Sequence, residues 1–315
     1  MAPQCTQRRG NGSEHDSGYK LLFSHPRMVE ELCRGFLPVC WNRRHLPSME
    51  MAPTNFVSDG HQERRADLVW RLRWHRGGDT YLLLELQSTP DPSMPVRMLT
   101  YAGLLLQRLI REGVLKSRGA LPTVLPVVLY LGKPPWRTPL DVISLFGAPS
   151  PVAKRFLPQL HYVLLDARRI DLERPELADN LVAALLRVEI CEAPEDFPSR
   201  VRHALGLLSR QEDPGLRRTV TNWLRQKFHR VASGGIIVPG LEDTEMLEQT
   251  LMRWERQFRV DGMRQMLVRV MEERFGPLPP AVHQSLEKVR NARTLEKLAG
   301  KILRAESLAQ VGLGA

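Results

Sequence analysis

Apolar residues recur along the chain at two different periods, and the change between them marks its organisation. Met28, Val29, Leu32, Cys33 and Phe36 fall at helical spacing and predict a helix over Pro26–Phe36. Two strand-like segments follow. Asp67–Trp74 (DLVWRLRW) alternates cleanly, Thr80–Gln87 (TYLLLELQ) is more continuously apolar, and Gly77 and Gly78 between them predict a hairpin loop. Helical spacing returns over Met94–Arg111, with Pro95 in the first turn and one stripe of Met98, Leu99, Ala102, Leu105, Leu106, Leu109 and Ile110. Val124–Leu131 and His161–Asp166 read as buried strands, the first becoming regular just after Pro126. From there the pattern is helical: Pro175–Ile190, Pro198–Leu208, Gly215–Val231, Glu242–Phe275 with a break near Gly262, Pro280–Asn291 and Thr294–Ala305. The expectation is a mixed α/β first half followed by an α-helical C-terminal region.

Length allows one large domain or two ordinary ones at 315 residues. The divisions expected are a flexible polar tail at 1–18, an α/β core at 19–190, a basic helical connector at 191–240 and an α-helical domain at 241–315. At 43% apolar and 25% charged residues the composition is globular, which excludes wholesale disorder and fibrous folds. Charge sharpens the picture. Lys plus Arg number 45 against 35 Asp plus Glu, a net +10, which favours polyanionic partners such as nucleic acid. Most of that excess lies before Leu241. Between Arg200 and Arg230 eight basic residues meet only Glu212 and Asp213, as a solvated helix face or a phosphate-facing one. The four cysteines are scattered without a C-x-x-C pair, no secretory signal opens the chain, and no apolar run approaches the roughly 20 residues of a membrane span. A cytoplasmic protein with no membrane contact is expected. Histidines at metal spacing, a Walker loop and a G-x-S-x-G elbow are all missing, which excludes zinc hydrolases, NTPases and serine hydrolases of those types.

The chemistry concentrates in the hairpin. A five-residue loop at 75–79 would set Trp74 opposite Thr80, so odd-numbered residues share one face. Leu68, Trp70, Leu72, Trp74, Leu82, Leu84 and Leu86 form the apolar side. Asp67, Val69, Arg71, Arg73, Tyr81, Leu83, Glu85 and Gln87 form the other, more polar side. In this register Asp67 faces Gln87 and lies diagonal to Glu85, roughly 7–8 Å away at the backbone. Two carboxylates so placed can hold a hard divalent cation, with the Leu86 backbone carbonyl as a further oxygen ligand. Mg²⁺ keeps several waters, leaving room for a phosphate oxygen and a nucleophilic water. Glu85 is also an acid within a leucine run, where an unpaired charge is costly.

These residues resemble the PD-(D/E)xK nuclease fold, in which an Asp opens one hairpin strand and an (Asp/Glu)-x-Lys triplet ends the next. Within it the chain is similar to the recombination-promoting nuclease, or transposase-like, family of bacteria. The resemblance rests on HDSGYKLLFSHPRMVEELCRGFLP (15–38), ADLVWRLRW (66–74), YLLLELQST (81–89) and MPVRMLTY (94–101). Residues 266–311 resemble a helical domain of unknown function often appended to such proteins. The resemblance implies a restriction-endonuclease-like mixed β-sheet core flanked by helices. It maps the metal-binding Asp onto Asp67 and the triplet acid onto Glu85, while the Lys position is Gln87. A carboxamide carries no charge, so Gln87 can orient water or donate a hydrogen bond but cannot act as a useful base.

The expected activity is a Mg²⁺-dependent DNA endonuclease, with Mn²⁺ or Ca²⁺ as other candidate ions. Asp67 and Glu85 would ligate the metal and Gln87 would position water. Arg71, Arg73, Arg97 and Tyr101, with Arg64 and Arg65, would hold DNA phosphates. Arg97 and Tyr101 are spaced to share a helix face opposite the apolar stripe. Asp16 and Lys20, in HDSGYK, are candidate accessory residues. The resemblance also implies a link to DNA recombination or mobile elements. The alternatives are a catalytically inactive DNA-binding protein on the same fold, favoured by the missing Lys, and an assembly protein that forms homo-oligomers through its C-terminal helices.

Overall fold

A computed structural model of the chain describes residues 12–37, 48–57, 63–74, 78–148, 150–232 and 244–312. By its internal packing the chain divides into two units, one of residues 1–190 with 203–224, the other of 191–202 with 225–315.

The first unit opens with α1 (Gly12–Leu22) and α2 (Pro26–Phe36). The polar composition of 1–18 predicts a tail, but the helix already begins at Gly12. Three short strands that the apolar pattern does not disclose come next: β1 (Ser48–Ala52), β2 (Asn55–Val57) and β3 (Glu63–Arg65). The hairpin strands are β4 (Leu68–Arg73) and β5 (Thr80–Gln87), followed by α3 (Met94–Arg111) and a short α4 (Val114–Arg118). Two further strands, β6 (Thr123–Tyr130) and β7 (Val163–Asp166), complete a five-stranded mixed sheet of order β1-β4-β5-β6-β7, while β2 and β3 pair separately. β4 runs antiparallel to β1 and β5; β5, β6 and β7 are parallel, so the β5–β6 connection crosses through α3 and α4.

Both faces of this sheet are buried. Trp70, Leu72, Leu82, Leu84 and Leu86 occupy one face, where the Trp70 indole N–H donates to the Phe23 carbonyl at 3.0 Å just beyond α1. Val69, Tyr81, Leu83 and Val128 occupy the other, packed with Met94, Met98, Tyr101, Leu105 and Leu109 of α3. The odd-numbered hairpin face is therefore a second core layer, polar only where it ends. Crossover packing of α3 gives it a buried environment that alternation within the hairpin does not disclose.

β6 runs straight through Pro126, earlier than expected. Successive residues of a strand bond to opposite neighbours, and Leu131 donates to Gln87 on the β5 side. Pro126, of opposite parity, would donate toward β7, whose pairing begins only at Val127, so its missing N–H interrupts no ladder. After β7, a 3₁₀ turn at Pro175–Leu177 precedes α5 (Leu181–Glu189), where one continuous helix is expected. Asn180 makes the break by capping α5, its side chain accepting from the Ala183 N–H at 2.9 Å. Asn180 also donates to the Glu31 carbonyl, and Glu31 accepts from the Leu181 N–H, which joins α2 to α5. α6 (Phe197–Ser209) and α7 (Pro214–Ala232) follow.

In the second unit α8 (Thr244–Phe275) continues unbroken past Gly262. With α9 (Pro280–Glu287), α10 (Ala292–Arg304) and α11 (Leu308–Val311) it encloses a core of Leu267, Met271, Val282, Leu286, Leu295 and Ile302. Among the described residues no helix is long and apolar enough to cross a membrane.

Candidate active site

Asp67 stands one residue before β4, and the β4–β5 register places it where Glu85 is its partner. Leu68 pairs with Leu84 and Leu72 with Thr80, so the hairpin is offset by two residues from the expected register and Asp67 meets Glu85 directly instead of Gln87. The longer turn causes this: β4 ends at Arg73 and β5 begins at Thr80.

The two acids are held by each other's backbone surroundings. The Asp67 N–H donates to Glu85 Oε1 at 3.0 Å, and the Leu86 N–H donates to Asp67 Oδ2 at 2.9 Å. Two cations complete the cluster. Lys20 Nζ of α1 lies 2.6 Å from Asp67 Oδ1, and Arg97 of α3 donates to Glu85 Oε2 at 2.8 Å. Gln87 Nε2 reaches the same oxygen at a longer 3.4 Å. All four carboxylate oxygens thus have a donor.

Arg97 is fixed from behind by Asp91, which accepts from its other NH group at 2.7 Å and also from the Ser93 N–H and hydroxyl. Burial pushes the Asp91 carboxyl upward, but these bonds outweigh it and leave its pKa lowered. Burial opposes the charge on Arg97 too, yet Asp91 and Glu85 raise its pKa overall. Glu85 is 1% exposed, and its pKa is pushed up to about 7, first by burial and then by the Asp67 charge, against the opposing pull of Arg97. A buried acid pair with this repulsion is one that a divalent cation would relieve. Among the described residues no third His, Cys, Asp or Glu joins the pair.

The other expected site residues disperse. Arg71 donates to buried Asp79 through Nε (2.8 Å) and NH2 (2.6 Å), and Arg73 pairs with Glu50. Arg71 lies four residues along the strand from Asp67, about 13 Å away, so neither of these arginines is gathered at the acids. Tyr101 is buried in the α3 core instead of facing away from the apolar stripe, with the Arg97 guanidinium 5.8 Å from its ring centre. Asp16 lies within α1, but its side chain, like those of Arg64 and Arg65 on β3, lies outside the described ones. Leu86 contacts Asp67 through its N–H, and its carbonyl shares that strand edge. Asp91 is the member that sequence reasoning missed. Its signal was the D-x-S spacing before a helix, where an acid accepts from the backbone two residues on.

Comparisons with known proteins place the chain in a family by sequence. The family described as "Putative transposase, YhgA-like" matches residues 13–213, which include every residue of the cluster. Recombination-promoting nuclease RpnD of Escherichia coli O157:H7 is 26% identical over 149 residues, 45% of this chain and 55% of that protein. Recombination-promoting nuclease RpnA of Escherichia coli strain K12 is 25% identical over 146 residues, 45% of this chain and 49% of the relative. The inactive recombination-promoting nuclease-like protein RpnE of the same strain is 25% identical over 187 residues, 58% and 53% respectively. The chain thus spans about half the length of these curated relatives. No solved structure matches. With nearly two thirds of its length matched by one family, the chain belongs to the YhgA-like transposase family.

Proposed function

We propose that this chain is a divalent-cation-dependent DNA endonuclease on a restriction-endonuclease-like core of the PD-(D/E)xK type. The carrying observation is the Asp67–Glu85 pair, whose oxygens converge at one end of the hairpin while repulsion between the acids helps raise the Glu85 pKa. Asp67, Glu85 and the Leu86 carbonyl would hold the ion, with Mg²⁺ the best fit to hard oxygen donors. When bound, the ion supplies positive charge that acidifies water and neutralises a phosphate. Arg97 keeps Glu85 oriented, and Gln87 directs its amide to the same oxygen, where it can also orient water. The net charge of +10 supports a polyanionic substrate, and the relatives' names support a role in DNA recombination.

Nicking of supercoiled plasmid in Mg²⁺ and in chelator tests the reading. Wild type should cleave only with the metal, and Asp67→Ala and Glu85→Ala should each lose at least about 10²-fold in rate. No Mg²⁺-dependent product from a chain that binds the plasmid rejects it. The second reading is an inactive DNA-binding protein, favoured by the uncharged Gln87 and by protein donors on all four carboxylate oxygens. In that case Asp67→Ala and Glu85→Ala should bind DNA as tightly as wild type or more tightly, with no cleavage by any of the three.

A further inference from the structure

A phosphodiester approaching Asp67 and Glu85 brings a third negative charge to two carboxylates, so the site needs a cation that can turn toward the incoming group. Arg97 is committed, one NH group to Glu85 and the other to Asp91. Gln87 has no charge to offer. Lys20 differs from both. Its side chain is 44% exposed, against 15% for the Asp67 side chain it meets, and only one of an ammonium's three N–H groups is needed for Asp67 Oδ1.

The backbone beneath Lys20 is tightly anchored although its ammonium is exposed. Tyr19 is buried, donates to Glu189 Oε2 at 3.0 Å and meets the Trp223 ring edge-on at 5.5 Å. Leu22 and Phe23 are buried, and the Phe23 carbonyl takes the indole N–H of Trp70, three residues beyond Asp67 on β4. The Ser24 hydroxyl caps the Lys20 carbonyl at 2.6 Å. α1 is thereby locked to the strand that carries Asp67, and Lys20 is presented to the acid pair by an element 47 residues distant in sequence.

We infer that Lys20 is a catalytic residue of this site, donating to a non-bridging oxygen of the scissile phosphate and balancing the charge that develops there. The inference rests on the nuclease reading and adds to it the source of the cation that position 87 lacks. In the step it serves, a water oxygen forms a bond to phosphorus and the opposite P–O bond breaks, its electron pair leaving with the ester oxygen. The water gives up its proton to solvent and the leaving oxygen takes one from solvent. Lys20 keeps its proton throughout, and its contribution is electrostatic, strongest when the phosphorane charge is greatest.

A plain structural ion pair makes a different prediction from a phosphate-directed one, and Lys20→Met separates them. Lys20 competes with a cation for Asp67 Oδ1, so Lys20→Met should bind Ca²⁺ several-fold more tightly by calorimetry. Its plasmid cleavage at saturating Mg²⁺ should nevertheless fall by about 10²-fold, the scale of one lost oxyanion donor. Lys20→Arg should retain most activity, which guards against a folding artefact. Gln87 sits 3.4 Å from the same Glu85 oxygen, so Gln87→Lys added to Lys20→Met should restore cleavage by at least about tenfold from another element. A Lys20→Met protein that cleaves at the wild-type rate, or a double variant no faster than it, overturns the inference while leaving the nuclease reading intact. An inactive wild type overturns both.

Discussion

The backbone N–H of Asp67 donates to the side chain of Glu85 at 3.0 Å, while the Asp67 side chain accepts from the backbone N–H of Leu86 at 2.9 Å. These crossed bonds replace the strand ladder at the open end of the β4–β5 hairpin. The Leu86 N–H, which would otherwise face the end of β4 unpaired, is satisfied by a carboxylate. The same bonds present the remaining acid oxygens toward Lys20 on one side and Arg97 on the other. Ladder termination and site construction are one feature here.

Raising the Glu85 pKa from 4.5 to about 7 has a sign that can be measured. Between those values the folded chain holds a proton that the unfolded chain has released, so stability falls as pH rises across the window. Glu85→Gln removes this effect. Its stability relative to wild type should improve between pH 5 and pH 8 by roughly 2 kcal/mol in chelator. Added Mg²⁺ should stabilise wild type more at pH 8 than at pH 5. Thermal melts across pH check both, and parallel pH profiles for the two proteins would contradict the expected burial cost.

Arg97→Ala removes the cation that favours ionised Glu85, so the acid's pKa should climb further. At pH 8 the variant's Glu85 must either stay charged without its guanidinium or take up a proton, and the loss should reach about 2–4 kcal/mol. At pH 5 Glu85 is protonated and the loss should shrink. Arg97→Lys should recover only part of it, because one ammonium does not reproduce the fork that bridges Glu85 and Asp91. Denaturant titrations at both pH values are the measurement, and a loss independent of pH counts against the coupling.

Gly132 sits where β6 leaves the sheet, and a Cβ there would lie 2.2 Å from the Tyr130 hydroxyl and 2.4 Å from the Ser88 carbonyl. Ser88 follows Gln87 directly, and its backbone oxygen cannot rotate away. Gly132→Ala should therefore cost about 1–3 kcal/mol and displace Gln87 with it. Gly103 in α3 is the control, since a Cβ there meets nothing within 4 Å. Gly103→Ala should stabilise by about 0.5–1 kcal/mol. Equal melting temperatures for the two variants would refute the clash.

Arg71 and Arg73 are neighbours on one strand face with different expected costs. Arg71→Ala takes two donors from buried Asp79 and should lose about 1–3 kcal/mol. Arg73→Ala breaks an exposed pair with Glu50 and should change stability by less than about 1 kcal/mol. Because both are tied up away from the acids, neither should change the Mg²⁺ dependence of plasmid cleavage. A selective loss of cleavage in either variant would place it back beside the substrate.

The central elements were legible because they bury dense apolar repeats: β4, β5 and α3 lie within a few residues of where periodicity puts them. β1, β2 and β3 escaped because three to five residues at a sheet margin, mixed with polar ones, carry almost no periodic signal. Asp67 and Glu85 could be paired from parity alone, but their register could not. Leu82, Leu84 and Leu86 are identical side chains two residues apart, so a two-residue slide keeps every leucine on its face. The reach of Lys20 to Asp67 was beyond any local pattern, since it depends on α1 docking through Tyr19 and Phe23 onto β4 and α7.

That leucine degeneracy gives the acid pair a second consequence. Where apolar packing leaves two hairpin alignments nearly equal, the crossed Asp67–Glu85 bonds exist in only one of them, so the acids act as a register pin. Keeping a single native hairpin then requires both carboxylates whether or not the chain cleaves anything. In this chain the intact acids therefore testify first to a correctly aligned hairpin, and cleavage itself has to be measured.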